Sequence, residues 1–422
     1  MKKNIQKILY LLAKKILKIY QPQIIAITGS VGKTSVKEAV YLVLKDNFSV
    51  ATNIKNYNTE FGVPLTIIKA KSGGKNILKW LTVILKALKK IICKDKKYPK
   101  ILILEMAADH PGDIEYLVKL AQPNLAIITA IGPAHMEFFG SLENIIKEKQ
   151  TLITKLNKDA QAILNADDNL VLAMKNKTEA QVLTYGLGEN ALVRATNIRY
   201  EDDGSGIYCT INYGQETAEA HFKNVLALTQ IGSLMAAITV GLIYQMSLEN
   251  IIKKLIDFKF PAGRLQFLAG IKQTQIIDDT YNSSPKAVKV ALEVLSRVAC
   301  ASRRFAVLGD MLELGNYSET AHAEVGEWVK EYKIDILIAV GQSSKKTAEV
   351  AEINGLAREH VLVFDTAFEA GKFLQNEIVQ GDLILVKGSQ SMRMERVVKE
   401  IMAEPNRAEE LLVRQSEGWL TK

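Results

Sequence analysis

The hydrophobic pattern changes along the chain from one long amphipathic helix to short buried strands that alternate with helices. Residues 2–20 place apolar side chains on one helical face, before Pro22. That face consists of Ile5, Ile8, Leu9, Leu12, Ile16 and Tyr20. The segments that follow are a strand at 24–28, a glycine-rich turn and helix from about Lys33, a strand at 101–105, a helix at 114–121, a strand at 125–130 and a helix at 142–156. Such alternation predicts a mostly parallel sheet covered on both faces.

A second αβ series begins after the Pro-Ala-Gly-Arg turn at 261–264. Its predicted strands are 275–279, 304–308, 336–340, 361–364 and 382–387. Between the two series, residues 191–222 alternate in short stretches that predict a small antiparallel element. We therefore expect an α/β protein with a basic amphipathic helix (1–22), a P-loop central domain (23–262) and a Rossmann-like C-terminal domain (263–422).

Charge is distributed unevenly along the chain. The net charge is +8, but residues 1–100 hold 21 lysines and four acidic residues, a balance of +17, which leaves −9 for the rest. A basic front indicates an anionic partner. Arginine is absent there and aromatic residues are few, which argues against nucleic acid and favours a membrane surface or phosphorylated small molecules.

The cysteines and the first residues bear on localisation. Cys93, Cys209 and Cys300 are far apart with no CxxC spacing, which argues against disulfides or zinc and fits a reducing cytoplasm. The first twenty residues lack a small-residue cleavage site, so we expect no signal peptide. No apolar run reaches the roughly 18–20 residues that span a bilayer. We expect a cytoplasmic protein.

The turn after the first strand has the character of a phosphate-binding loop. Backbone N–H groups in such a turn converge on an anion, and the N-terminus of the following helix adds positive potential. Lys33 would neutralise the β- and γ-phosphates, and the Thr34 hydroxyl would bind Mg²⁺. The loop residues that would surround ATP are Gly29, Ser30, Val31, Gly32, Lys33, Thr34 and Ser35.

The spacing of this loop is G-x-x-G-K-T, which is two residues shorter than the usual G-x-x-x-x-G-K-[ST] pattern. It resembles the nucleotide loop of the Mur ligases and of the folylpolyglutamate and cyanophycin synthetases. Further blocks, in family order, are similar to the dipeptide-adding MurF branch. They are NYNTEFGVPLT (56–66), LEMAADHPGDI (104–114), AHMEFFGSLENIIKEK (134–149), PAGRLQ (261–266), DDTYNSSP (278–285), VLGDMLELG (307–315) and VKGSQSMRMERVV (386–398). Several ordered blocks are far more specific than one motif.

The resemblance implies a two-magnesium site. Glu105 ends a buried strand, where a carboxylate is a natural Mg²⁺ ligand. By resemblance His135 holds the second Mg²⁺. Lys149, fourteen residues later, is at the family's position for a carbamylated lysine, formed by addition of CO₂ to the neutral amine. Lys147 is the competing position.

The resemblance also assigns residues of the C-terminal half. Arg264 would contact the γ-phosphate of ATP, and Asp279 the ribose or adenine, with Asn282 in the same stretch. Lys387 and Arg393 would lie near the incoming amine. Asn58, in the second block, is a further candidate substrate contact.

The implied reaction is ATP-dependent amide-bond formation through an acyl phosphate, with D-Ala-D-Ala or a similar amine added to a UDP-muramyl peptide in peptidoglycan precursor synthesis. One alternative is a sister ligase of the folylpolyglutamate or cyanophycin synthetase type with another acceptor. Another is a non-catalytic ATP-binding protein at a membrane. The intact set of phosphate and metal residues argues against the last.

Three features depart from the family pattern. Only about 22 residues precede the loop, where the family carries a domain for the uridine nucleotide. Residues 229–233 (TQIGS) replace a family His-Asn-x-x-Asn stretch, so adenine contacts should differ. A basic amphipathic insertion near 75–98 includes the stretch 77–97. This stretch and the N-terminal helix either pack together within the protein or lie on an anionic membrane.

Overall fold

The computed structural model describes residues 2–53, 57–133 and 135–420. Asn56 and Ala134, which begin two of the family-like blocks, lie outside the described residues. Two β-sheets, each flanked by helices, organise the chain. The predicted α/β class is confirmed. Within the described ranges, no helix is both long and apolar enough to cross a membrane.

The first sheet has nine strands in the order β2-β3-β1-β4-β5-β6-β7-β8-β9. The strands are β1 (Gln23–Thr28), β2 (Val50–Thr52), β3 (Ile101–Glu105), β4 (Leu125–Ile128), β5 (Gln161–Asn165), β6 (Gln181–Gly186), β7 (Val193–Tyr200), β8 (Gly206–Tyr213) and β9 (Glu216–Lys223). Pairing is parallel from β2 to β7 and antiparallel from β7 to β9. β1 and β3, buried along almost their whole length, read as continuous apolar runs, as parallel strands covered on both faces do.

Helices cover both faces of this sheet. They are α1 (Lys2–Tyr20), α2 (Lys33–Leu44), α3 (Gly62–Ile68), α4 (Ile77–Ile92), α5 (Asp113–Leu120), α6 (Met136–Phe139), α7 (Leu142–Thr154), α8 (Asn169–Leu172), α9 (Leu228–Ile243) and α10 (Leu248–Leu255). α2, α9 and α10 share one buried cluster with the sheet, and α1, α3, α4, α5 and α7 share the other. The carboxyl ends of β1, β3 and β4 therefore lie between two helical layers, where ligands of open α/β sheets bind.

The second sheet has the order β10-β11-β15-β12-β13-β14. Its strands are β10 (Gln266–Ala269), β11 (Gln275–Asp279), β12 (Arg304–Gly309), β13 (Ile336–Val340), β14 (Val361–Phe364) and β15 (Leu383–Lys387). Its helices are α11 (Pro285–Arg297), α12 (Ser318–Glu331), α13 (Ser344–Ile353), α14 (Ala367–Glu377), α15 (Glu395–Ile401), α16 (Ala408–Leu411) and α17 (Glu417–Leu420). All pairings are parallel except that of β10 with β11.

One strand element was predicted and another was not. The antiparallel element predicted at 191–222 is confirmed as β7, β8 and β9, and the pairing of β7 with β6 makes it part of the large sheet. β10 was not predicted, since its four residues QFLA carry no alternating pattern and end at Gly270. Each of these strands pairs with its neighbour in the sequence, β7 with β6 and β10 with β11.

The two basic amphipathic helices pack against each other. α1 buries Leu9, Ala13 and Ile16 against α3 and α4. The Tyr20 hydroxyl donates to the Lys90 carbonyl at 2.8 Å, which ties the end of α1 to that of α4. The face predicted for residues 2–20 is wrong at Ile8, which is 41% exposed, because packing against α3 and α4 buries a stripe that includes Ala13 instead.

Candidate functional site: a phosphate loop between two halves of the chain

The turn between β1 and α2 has the backbone of an anion-binding loop. Gly29 has φ 144° and Gly32 has φ 88°, both in the left-handed region that glycine adopts without strain. A Cβ on Gly29 would lie 2.1 Å from the Thr129 hydroxyl oxygen, so only glycine fits there. Gly32 precedes the first turn of α2, whose N–H groups therefore point into the loop.

The end of β4 supports this loop. The Ser30 backbone N–H donates to the Ala130 carbonyl at 2.7 Å, and the Ser30 hydroxyl donates to the Gly132 carbonyl at 3.0 Å. The Thr129 hydroxyl donates to the Val31 carbonyl at 2.5 Å. These bonds hold the loop in place before any ligand arrives, which lowers the entropic cost of binding.

Two lysines of α2 lie near the carboxyl ends of β1 and β3. The Lys33 ammonium donates to the Gly29 and Ser30 carbonyls at 2.7 and 3.2 Å, and burial lowers its pKa. Lys37, one helical turn later, is fully buried and donates to the Asn53 carbonyl at 3.2 Å. Sequence reasoning missed Lys37, although its i+4 spacing places it on the same helical face as Lys33.

Glu105 lies at the end of β3, as predicted, and its side chain is held in place. The Asn58 amide donates to Glu105 Oε1 at 2.9 Å, and the Asn53 side chain accepts from the Glu105 backbone N–H at 2.7 Å. Glu105 Oε2 is buried without a hydrogen-bond partner, 4.0 Å from the Lys37 ammonium. A buried carboxylate oxygen that is left unpaired is costly unless a cation binds it.

Lys149, on α7, lies near the Lys33 side chain. Its side chain is buried and its amine approaches the Ala108 carbonyl at 3.5 Å. Burial, reinforced by the nearby Lys33 charge, lowers the pKa of Lys149 to about 7. The neighbouring Glu148 instead accepts from the Gly112 and Ile114 N–H groups at the start of α5. Lys147 points to solvent.

His135 joins the two halves of the chain. It adopts a left-handed backbone (φ 56°), and its Nδ1 lies 2.6 Å from Glu313 Oε2. Its Nε2 lies 3.8 Å from Asp109 Oδ1. Throughout the described ranges, no three His, Cys, Asp or Glu side chains converge as a metal site. The predicted role of His135 as a ligand of Mg²⁺ therefore stays a prediction.

Arg264 reaches the phosphate loop from the start of the second half. Its guanidinium donates to the Thr34 hydroxyl at 3.0 Å and stacks on the Tyr281 ring at 4.1 Å. Its Nε is buried without a hydrogen-bond partner. A guanidinium with an unused donor beside a phosphate loop is suited to bind a phosphate oxygen.

Gln230, in the TQIGS stretch, anchors the hinge that carries Arg264. Its side-chain oxygen accepts from the Leu226 and Ala227 N–H groups at 2.7 and 3.1 Å. Its amide nitrogen donates to the Arg264 carbonyl at 3.2 Å. The TQIGS stretch departs from the family pattern, and its buried Gln230 side chain thus connects α9 to the second half of the chain.

We expect Gln230→Ala to lower the free energy of unfolding by about 1–3 kcal/mol, because it leaves buried backbone groups unpaired. Urea denaturation measures this change. The matched control is Gln122→Ala, whose side chain makes a single hydrogen bond at an exposed position. Equal stabilities of the two variants would contradict the anchoring role.

The C-terminal candidates form ion pairs that the sequence did not reveal. The Lys387 ammonium lies 2.6 Å from Asp279 Oδ2 and also donates to the Asn282 carbonyl. Arg393 pairs with Glu395 at 2.6 Å. Asp279 and Lys387 were assigned to different substrates, but the structure makes them one buried pair. Their substrate roles, like that of Arg393, stay predictions.

Family comparisons agree with this architecture. The Mur ligase middle domain matches residues 27–79 and 83–241, which is half of the chain. The glutamate ligase domain of the Mur ligases matches residues 263–390. The first match contains the phosphate loop, Glu105 and Lys149, and the second begins one residue before Arg264.

Individual relatives span nearly the whole chain. The UDP-N-acetylmuramoyl-tripeptide–D-alanyl-D-alanine ligase of Bacillus subtilis is 29% identical over 93% of this chain and 79% of its own length. That of Buchnera aphidicola (subsp. Baizongia pistaciae) is 30% identical over 91% and 76%. The MurF ligase of Thermotoga maritima, solved with ADP, superposes with a TM-score of 0.76 at 27% identity, over 94% of this chain and 83% of its own. With both domains matched in order around one phosphate loop, the predicted resemblance is confirmed, and the chain belongs to the Mur ligase family.

Proposed function

We propose that this enzyme is an ATP-dependent peptide ligase of the MurF type, which adds D-alanyl-D-alanine to a UDP-N-acetylmuramoyl tripeptide. The observation that carries the proposal is the contact of Arg264 with Thr34, because it brings a second cation to the phosphate loop from the opposite half of the chain. The full-length relatives named for this reaction support the choice of substrates.

The proposed reaction begins with attack of the acceptor carboxylate on the γ-phosphorus of ATP, which forms an acyl phosphate and releases ADP. The dipeptide amine then attacks the acyl carbon and expels phosphate. Lys33 and Arg264 neutralise the charge that spreads over the transferring phosphoryl group. The loop N–H groups that face this position are fixed by Ser30 and Thr129, so little reorganisation is needed during the reaction.

Mg²⁺ fits the residues present. The unpaired, buried Glu105 Oε2 supplies an oxygen of the kind that Mg²⁺ prefers, and the Thr34 hydroxyl lies at the start of α2. We propose that Glu105 and Thr34 hold one ion and that His135 and Lys149 help to hold a second. Bound Mg²⁺ would neutralise phosphate charge and orient the phosphoryl group. Asn58 and Asn53 keep the Glu105 carboxylate oriented.

Lys149 is suited to carry a carbamate. A neutral amine is required for addition of CO₂, and a pKa near 7 leaves much of this amine neutral at neutral pH. The product is a carboxylate, which places negative charge beside Lys33 where the free lysine would add a second positive charge. Burial would shield the carbamate from bulk water.

The two halves of the chain divide the task in this proposal. Residues 23–262 bind the nucleotide, and residues 263–422 close over it and help to align the amine, while the N-terminal helix α1 packs against the first of these segments. Closure of one half on the other would exclude water, which would otherwise hydrolyse the acyl phosphate. The contacts of His135 with Glu313 and of Gln230 with Arg264 cross this boundary.

Phosphate release from ATP, measured with a panel of acceptors and amines, tests the function. We expect release only when UDP-N-acetylmuramoyl tripeptide and D-Ala-D-Ala are both present, with the joined pentapeptide detected by mass spectrometry. The matched controls are the tripeptide acceptor with single amino acids, and a folate acceptor with glutamate. Turnover with the folate pair alone would contradict the proposal and assign the chain to the sister ligases.

A further inference from the structure

α4 presents a continuous apolar stripe to solvent. Its buried face is formed by Trp80, Val83 and Ala87, which pack into the protein. A different face carries the large side chains that remain exposed, and these are Ile77 (66%), Leu78 (74%), Leu81 (51%), Leu85 (57%), Leu88 (39%) and Ile92 (78%). From residue 78 onward they recur every three or four residues, so they line one side of the helix over its whole length. Exposed apolar surface of this extent marks an interaction site.

Lysines border this stripe. Lys79, Lys86 and Lys89 are exposed on the helix face beside it. Residues 69–97 contain ten lysines and a single acidic residue, Asp95, and α4 itself contains no acidic residue. The match to the family's middle domain is interrupted at residues 80–82, inside this helix.

The neighbouring helix also exposes apolar side chains. α1 packs beside α4, and its Ile8 and Leu11 are 41% and 57% exposed. Tyr20 binds both the Lys90 carbonyl and the Asp95 N–H, which fixes the orientation of α4 on the body of the protein. Because α4 is already ordered, contact of its apolar stripe with a flat partner requires little further loss of conformational entropy.

We propose that α4, with the exposed part of α1, docks the enzyme on an anionic membrane surface. The Leu and Ile side chains would enter the boundary between headgroups and acyl chains, and the lysines would contact anionic headgroups. A second copy of this chain fits less well, because pairing two such stripes brings lysines together with no acidic partners on the helix. A nucleotide phosphate would use the lysines but would leave the six apolar side chains of α4 in water.

Vesicle binding by the full chain tests this proposal directly. We expect the protein to sediment with vesicles of phosphatidylcholine and phosphatidylglycerol, and not with pure phosphatidylcholine. Binding should weaken as ionic strength rises from about 0.05 to about 0.5 M, since the Debye length falls over this range. Cys93, exposed at the end of α4, offers a position for an environment-sensitive fluorophore, whose emission should shift to shorter wavelength on binding.

Two sets of variants separate the apolar and the charged contributions. Leu78→Ser with Leu85→Ser should reduce partitioning at least tenfold. The matched control, Ile353→Ser with Phe368→Ser, removes side chains of similar exposure (74% and 54%) on α13 and α14 and should bind as the wild type. Lys79→Gln, Lys86→Gln and Lys89→Gln should each reduce partitioning about fivefold. Lys158→Gln and Lys175→Gln, exposed elsewhere, should not.

Other outcomes would overturn the proposal. Failure of the full chain to bind anionic vesicles at low salt would do so, as would binding that all of these variants retain. Light scattering that shows a dimer dispersed by Leu78→Ser with Leu85→Ser, without vesicle binding, would assign the stripe to a second copy. Displacement from vesicles by UDP, together with a raised acceptor KM in the lysine variants, would assign the lysines to the nucleotide.

Discussion

Lys33→Ala should reduce ATP turnover by at least about a hundredfold, the loss typical when one preorganised donor to a developing charge is removed. Lys33 extends from the first residue of α2 along the phosphate loop, where its ammonium already lies within hydrogen-bonding distance of the Gly29 and Ser30 carbonyls. Phosphate release with both substrates present measures the effect. Burial of this ammonium carries a desolvation cost, which lowers its pKa, so its removal should leave the fold unharmed.

Lys45→Ala is the matched control for this experiment. Lys45 caps the other end of the same helix and is exposed, so its loss removes a lysine from α2 without touching the loop. Thermal unfolding of both variants should resemble that of the wild type. Retention of more than about a tenth of wild-type turnover by Lys33→Ala would contradict the assignment, because one decade corresponds to only about 1.4 kcal/mol of barrier.

Lys149→Ala should be nearly inactive, and short carboxylates such as acetate should restore part of the activity by occupying the space of the carbamate. The reason is that alanine removes the only atom to which CO₂ could add at this position. Activity of the wild type should fall as the pH drops below about 7, since the lysine is then protonated and cannot form a carbamate. Steady-state rates with and without added acetate, over a range of pH, measure these effects.

Lys147→Ala provides the control, because Lys147 lies two residues away on the same helix but is exposed. It should keep nearly full activity. A spectroscopic readout is independent of turnover: wild type and Lys147→Ala supplied with ¹³C-bicarbonate should show a carbamate resonance by NMR, and Lys149→Ala should not. If Lys147→Ala were inactive and Lys149→Ala active, the assignment of the carbamate to Lys149 would be wrong.

Much of the fold could be predicted from the sequence because its elements are specified locally. Strands 101–105, 275–279, 336–340 and 361–364 have the predicted bounds, since each contains a short apolar run that ends at polar or turn residues. The phosphate loop was predicted for a similar reason, because Gly29 and Gly32 adopt left-handed backbone conformations that are strained for residues with a Cβ atom. The position of Glu105 at the end of a buried strand followed from the same pattern.

The sequence by itself determined the element types, the loop and the family. Only the tertiary structure decided which charged groups meet, because ion pairs between distant segments leave no trace in local spacing. Lys37 beside Glu105, Lys387 with Asp279 and Glu313 with His135 join residues that are 68, 108 and 178 positions apart. The same holds for α4, whose apolar residues occupy more than one face of the helix. Packing against α1 and the body of the protein selected one face for burial and left the other face, with its lysines, exposed to solvent.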